Sequence, residues 1–215
     1  MVRIVGYPEF GRKEEVPSHG PARMVLAGIA SGQKVCRMPF DRRADRSTRT
    51  FERQESMDEQ TRSEILKTIP YGFYITGVVG SDGEANGFTT CWVSQVSFEP
   101  QQVVVAVRKD QHTHDLMEQG GVFSLNFLDT EQEDLARKFT QPLQPENGTL
   151  AGSPYSTGET GAPLFTEGFA HLECRVVGKL EAGDHTVYLG EVASANLGRP
   201  ADILTDLDTP MEYGG

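Results

Sequence analysis

The chain has 215 residues, 37% of them hydrophobic, and sets 20 Lys and Arg against 31 Asp and Glu for a formal charge of −11. Residues 1–57 hold 11 of the basic but only 7 of the acidic side chains, which leaves a net −15 on residues 58–215. A domain this acidic repels a phosphate backbone and is not expected to bind nucleic acid, and no run of 18 apolar residues occurs that would suit a membrane-spanning helix.

Residues 1–55 carry scattered Pro and Gly and a polar run at 41–49, with neither a helical nor a strand period. They are expected to form a disordered extension or the remnant of a linker from a longer polypeptide. The folded domain is expected over residues 56–215. Ser56 and Glu59 have the spacing of a capping box, opening a helix that passes Ile65 and Leu66 and stops near Ile69 ahead of Pro70. Residues 71–79 are rich in aromatic and β-branched side chains and predict a strand, followed by a turn at Gly80-Ser81-Asp82-Gly83. Residues 88–98 predict a second long strand, and 103–107 a short apolar one before the charged turn Arg108-Lys109-Asp110.

A brief helix is expected around residues 113–119, stopped by Gly120-Gly121, and a strand over 122–128. Thr130 and Glu133 predict another capping box, opening a helix to Phe139 whose Leu135 and Phe139 share one face. Residues 140–162, rich in Pro, Gly, Ser and Thr, predict a long functional or mobile loop. Two long antiparallel strands, 169–180 and 186–195, are joined by Glu181-Ala182-Gly183-Asp184. Many moderate strands with few short helices predict a mainly β fold, a closed or partly closed barrel, and not a parallel α/β sheet.

The chemistry is narrowed first by what is missing. No Gly-x-Gly-x-x-Gly follows a strand and opens a helix, no phosphate-binding Gly-x-x-x-x-Gly-Lys occurs, and no Gly-x-Ser-x-Gly is present. His112 and His114 lack an acidic or cysteine partner at ligand spacing, so no metal site is expected. Cys36, Cys91 and Cys174 are odd in number and form no Cys-x-x-Cys, a pattern that suits reduced thiols and a cytoplasmic location. Asn86-Gly87 reads as a turn that lets backbone approach a ligand. The small hydroxyl residues after it offer N–H and Oγ donors to a phosphate or ring edge. The same residues also suit an ordinary hairpin with threonines on its wet face.

Several of these patterns occur in an order that resembles the flavin reductase-like family with an FMN-binding split barrel. They are Asn86-Gly87-Phe88-Thr89-Thr90 with Val96-Ser97 and Pro100, then His112-Thr113, and Gly121-Val122-Phe123-Ser124-Leu125-Asn126. Gln132 to Ala136, Gly161-Ala162-Pro163, Ala170-His171-Leu172-Glu173-Cys174 and Gly183-Asp184-His185 with Gly190-Glu191-Val192 follow. The resemblance covers residues 68–215. It implies a split β-barrel with a Greek-key-like strand order, and a homodimer with flavin near the subunit interface. Thr89, Thr90, Cys91, Trp92 and Ser94 would line the flavin ring and phosphate, Thr113 and Asn126 would contact phosphate or ribityl, and Lys138 would neutralise phosphate charge. His185 would meet the nicotinamide.

The implied activity is NAD(P)H-dependent reduction of bound FMN, with FAD also compatible and NADH and NADPH not distinguished. Electrons would pass on to free flavin, a monooxygenase or a fused redox domain. The alternative is an FMN-binding electron-transfer module that oxidises no pyridine nucleotide itself. Two departures stand out. Cys91 and Trp92 replace small hydroxyl residues, which shifts phosphate contacts onto backbone N–H groups. Family members commonly run on past the position of Gly215, which implies a truncated barrel edge.

Overall fold

The computed structural model describes residues 59–146 and 148–214. Ser56, and with it the first capping box, and the expected extension at residues 1–55 lie outside the described residues. In chain order the elements are α1 (Glu59–Leu66), β1 (Tyr74–Val79), β2 (Ala85–Thr90), β3 (Val93–Phe98), β4 (Gln101–Arg108), α2 (His112–Gly120), β5 (Val122–Phe127) and α3 (Glu133–Lys138). They continue with β6 (Thr149–Leu150), β7 (Ser153–Thr157), β8 (Pro163–Phe165), β9 (Ala170–Ala182) and β10 (His185–Leu197).

Seven strands form one antiparallel sheet in the order β2-β1-β5-β9-β10-β4-β3. Its two edge strands, β2 and β3, are neighbours in the chain. Six inter-strand steps would hold the edges of a flat sheet about 29 Å apart. The three virtual bonds from Thr90 to Val93 reach at most about 11 Å. The sheet must therefore curl until its edges meet at that end, which makes it a split β-barrel. Cys91 and Trp92 make the crossing through a γ-turn, with the Val93 N–H donating to the Cys91 carbonyl at 3.0 Å.

Four expectations are corrected here. Residues 88–98 are two strands, because the first half pairs with β1 and the second with β4 on opposite edges of the sheet. Asn86-Gly87 is not a turn: both residues sit in β2, opposite Val78 and Gly77, and the chain reverses earlier, through residues 80–84. The Thr130–Glu133 capping box does not form: Gln132 is the N-cap of α3 and gives it no side-chain cap, the side-chain bonds lying in the turn ahead of it. In that turn the Asp129 carboxylate accepts from the Glu131 N–H at 2.9 Å and the Gln132 side chain from the Asp129 N–H at 2.9 Å. Residues 140–162 are not one loop. They supply β6 and β7, which join β8 in a three-stranded sheet.

Two apolar clusters hold these parts together. The first gathers Phe73, Ile75, Leu128, Leu135, Phe139, Leu150, Phe165 and Leu204 under α3 and the small sheet. The second brings Val78, Val105, Val107, Phe123, Leu125 and Tyr188 from four barrel strands against Leu116 and Met117 of α2. Each fully buried side chain of this size contributes about 1.5–3 kcal/mol. β1 serves both clusters, with Ile75 in one and Val78 in the other.

A buried carboxylate locks β9 to the segment ahead of β8. Glu173 accepts from the Thr160 N–H at 2.8 Å, the Thr160 hydroxyl at 2.9 Å and the Glu159 N–H at 3.1 Å. Burial alone would raise its pKa, but the Thr160 and Glu159 hydrogen bonds outweigh it and hold the carboxyl below its usual range. Its stabilising contribution is thus complete above the ordinary carboxylate pKa and fades as pH falls through the lowered folded value. Glu173→Gln is expected to lose about 1–3 kcal/mol in urea unfolding at neutral pH, with the deficit shrinking below about pH 4. An equal deficit at both pH values would mean that the charge does not matter.

Candidate functional site

Where the barrel edges converge, a cavity of about 540 Å³ opens. Its wall comes from four separate stretches: residues 86–91 of β2 and the crossing, 106–113 from β4 into α2 (Lys109 excepted), 139–144 after α3, and 211–213. Gly87 lies in that wall, where a Cβ would come within 3.1 Å of Phe165 and 3.2 Å of Phe139. Glycine thus lets β2 lie flush against two buried rings.

At one side of the cavity α2 begins. Gln111, its N-cap, is extended at φ −98 and ψ 138 and gives the helix no side-chain cap. First-turn N–H groups of a helix have no partner within the helix, so this end favours an anion. Thr113 stands in the same turn, lines the cavity, is 7% exposed, and its buried hydroxyl has no hydrogen-bond partner. A buried hydroxyl left unpaired costs about 1–3 kcal/mol; Thr76 carries the other one among the described residues, and of the two only Thr113 lines the cavity. Arg108 lines the same cavity, paired at 2.6 Å with Asp110, which lines it too.

At the mouth three rings meet. Trp92 lies 4.7 Å from His185 and 5.1 Å from Tyr213 between centroids. Tyr213 Oη is 2.9 Å from His185 Nε2, and Asp184 Oδ1 is 2.7 Å from His185 Nδ1. A carboxylate only accepts, so Nδ1 carries a proton, and in the tautomer with that single proton Nε2 accepts from the tyrosine hydroxyl. The His185 hydrogen bond holds the Asp184 carboxyl below its usual range, while burial raises the Tyr213 hydroxyl. The pairing of His185 with Arg108 across β10 and β4 brings the histidine to this end of the barrel.

The residues expected from sequence fall into distinct places. Thr89, Thr90, Cys91 and Thr113 line the cavity, and Trp92 joins the ring cluster with His185. The Thr89 hydroxyl already donates to the Ala136 carbonyl at 2.5 Å. Asn126 is fully buried away from the cavity lining. Its amide nitrogen donates to the Ile75 carbonyl at 2.9 Å, and its oxygen accepts from the Phe165 N–H at 2.8 Å, so it clamps three strands together. Ser94 faces a second cavity, of about 590 Å³, and Lys138 is exposed on α3 outside the lining of the first. Sequence reasoning missed Arg108, which read as a plain charged turn. It missed Tyr213 too, since the 211–213 stretch has no period and reaches the site only through the fold.

Residues 66–213 match the family described as flavin reductase like domain. The chain belongs to the flavin reductase-like family. This flavin reductase-like chain is 31% identical over 147 residues to the ferric-chelate reductase (NAD(P)H) of Archaeoglobus fulgidus, covering 67% of this chain and 86% of that one. It is 32% identical over 147 residues to diflavin flavoprotein A 1 of Synechocystis sp., covering 67% of this chain. It spans only 25% of that longer relative. Among solved structures it is similar to the NADH:FAD oxidoreductase of Streptomyces globisporus, with a TM-score of 0.56 and 30% identity, covering 74% of this chain and 88% of that one.

The two buried thiols of the barrel are poor nucleophiles. Burial pushes Cys91 and Cys174 up to about 12, with Asp206 and Glu173 adding to the shift in turn. With Cys36 replaced by Ser, the folded protein is expected to resist an aromatic disulfide reagent at about pH 8 and to expose two reactive thiols only on unfolding. Rapid labelling of the native protein would place a thiolate at the cavity wall instead.

Proposed function

We propose that this protein is an NAD(P)H-dependent flavin oxidoreductase that holds FMN in the 540 Å³ cavity and accepts reducing equivalents from a nicotinamide nucleotide at the Trp92–His185 mouth. The observation that carries the reading is the unpartnered Thr113 hydroxyl at the uncapped start of α2. A phosphate there satisfies the hydroxyl and the free N–H groups together, with Arg108 offsetting its charge. The cavity's size falls in the range that encloses a cofactor. Its lining fits a flavin as well, with Phe88, Phe139 and Leu143 offering apolar contact and Thr90 and Gln141 offering polar groups at the ring edge.

When bound, the flavin supplies the acceptor for hydride from the nicotinamide C4. The chain's own contribution is placement. Thr113 and α2 fix the phosphate, β2 presents its backbone to the ring, and Trp92 with His185 forms the platform on which the second planar ring stacks. Arg108, which lines the cavity where Lys138 does not, is the charge partner of the phosphate. The names of the Archaeoglobus and Streptomyces proteins support nucleotide-dependent flavin reduction, and the match to part of a diflavin flavoprotein supports onward transfer to a flavin or a further redox domain.

We place the protein as a homodimer in the cytoplasm. The exposed apolar side chains Phe98, Val96 and Leu197 give a second copy something to cover, and the free thiols Cys91 and Cys174 suit a reducing compartment. No helix among the described residues is long and apolar enough to cross a membrane.

Purified protein mixed with FMN and NADH or NADPH is expected to bleach the nicotinamide absorbance band. Bound flavin without turnover by either nucleotide would refute the reductase reading and leave an electron-transfer module. Thr113→Val is expected to weaken FMN roughly tenfold while leaving riboflavin, which has no phosphate, unchanged. His185→Ala should slow nucleotide oxidation and keep the flavin.

A further inference from the structure

The ring cluster at the mouth is closed. His185 is 6% exposed, with Asp184 on one nitrogen, Tyr213 on the other, and the Trp92 ring beside it. A nicotinamide arriving to stack there needs the space and the hydrogen-bond acceptor that Tyr213 already uses. The two groups are chemically alike in what they offer. Nicotinamide is a flat ring with a carboxamide N–H donor; Tyr213 is a flat ring with an O–H donor directed at His185 Nε2.

One of these rings must give way, and the backbone decides which. The Trp92 carbonyl accepts from the Ala106 N–H at 3.1 Å, inside the barrel closure. His185 opens β10, paired on both sides with Arg108 and Ala182. The 211–213 stretch belongs to no strand. The Tyr213 N–H donates to the Tyr71 hydroxyl at 2.9 Å, and the Met211 N–H to the Thr209 hydroxyl at 3.1 Å. The exposed Lys67–Glu212 pair, at 3.3 Å, adds little in water. Beyond these bonds, Met211 packs against the first apolar cluster, and Tyr213 itself is tied by one backbone bond and its ring contacts.

We infer that Tyr213 occupies the nicotinamide position in the resting protein and that a nucleotide binds by displacing it from His185 and Trp92. The inference rests on the proposed function of the same site. Tyr213 therefore acts as a specificity-determining residue. A ligand must match its ring and donor to compete, and each successful encounter bears the cost of opening the strap.

The chain contains a single tryptophan, so its emission reports Trp92 alone. Flavin-free full-length protein is titrated with oxidised nicotinamide mononucleotide while this emission is followed, for the parent, Tyr213→Phe and Tyr213→Ala. Displacement predicts a half-saturating concentration that falls roughly fivefold in Tyr213→Ala, with Tyr213→Phe between the two because it keeps the ring and loses the donor. With saturating FMN, the KM for NADH should fall in the same order while kcat stays level or rises. A KM or half-saturation that rises or stays constant on removing the tyrosine overturns the inference. If Tyr213→Ala fails to fold, the comparison of parent with Tyr213→Phe decides. Failure of the reductase reading is distinguishable, since it shows as absent nucleotide oxidation in the parent, and the fluorescence titration still decides whether Tyr213 holds the position.

Discussion

The two-residue crossing at Cys91 and Trp92 sets the geometry on which the rest depends. Two strands that are adjacent in the chain stand on opposite edges of a seven-stranded sheet, and so short a link forces those edges together. A sheet pinned at one end and free at the other curls into a split barrel. The pinned end is where β2, the start of α2 and the first residue of β10 come close, which is why the cavity lies there. Trp92, carried on the γ-turn, is thrown outward onto His185.

The site separates two electrostatic tasks. Around Thr113 the uncapped start of α2 meets Arg108 and Asp110, a charge pair that lines the same cavity. At the mouth the charges are local: Asp184 sets the proton on one side of the imidazole, and Tyr213 answers the other. The thiol between the two regions is kept protonated by burial, so Cys91 acts as apolar wall. Such a division suits a cofactor with an anionic tail and a neutral ring.

Buried polar side chains away from the cavity explain why the wall holds its shape. Asn126 bridges β1, β5 and β8, and Glu173 fastens the loop at Glu159 and Thr160 to β9. A side chain with four hydrogen-bonding sites in the core is costly unless all are answered, and here the answers come from strands that are far apart in sequence. Asn126, the last residue of the Gly121–Asn126 run, sits in this structure at a joint between strands.

Much of the fold was legible because it is local. A continuous apolar run marks β4 and alternating apolar side chains mark β5, Gly121 stops α2 in the left-handed region its φ of 63° requires, and Gly183-Asp184 turns β9 into β10. Thr113 and His185 could be picked out by motif. Pairing partners were not legible, since a run such as residues 88–98 has the same composition whether it is one strand or two. The sequence by itself determined that this is an acidic β domain of the flavin reductase-like family carrying a Gly-Asp-His turn. Only the tertiary structure decided that Asn86-Gly87 is strand, that Arg108 faces the cavity and that Tyr213 covers His185. Those facts depend on contacts between segments far apart in sequence, and residue type and spacing along the chain carry no record of which distant segment a side chain will meet.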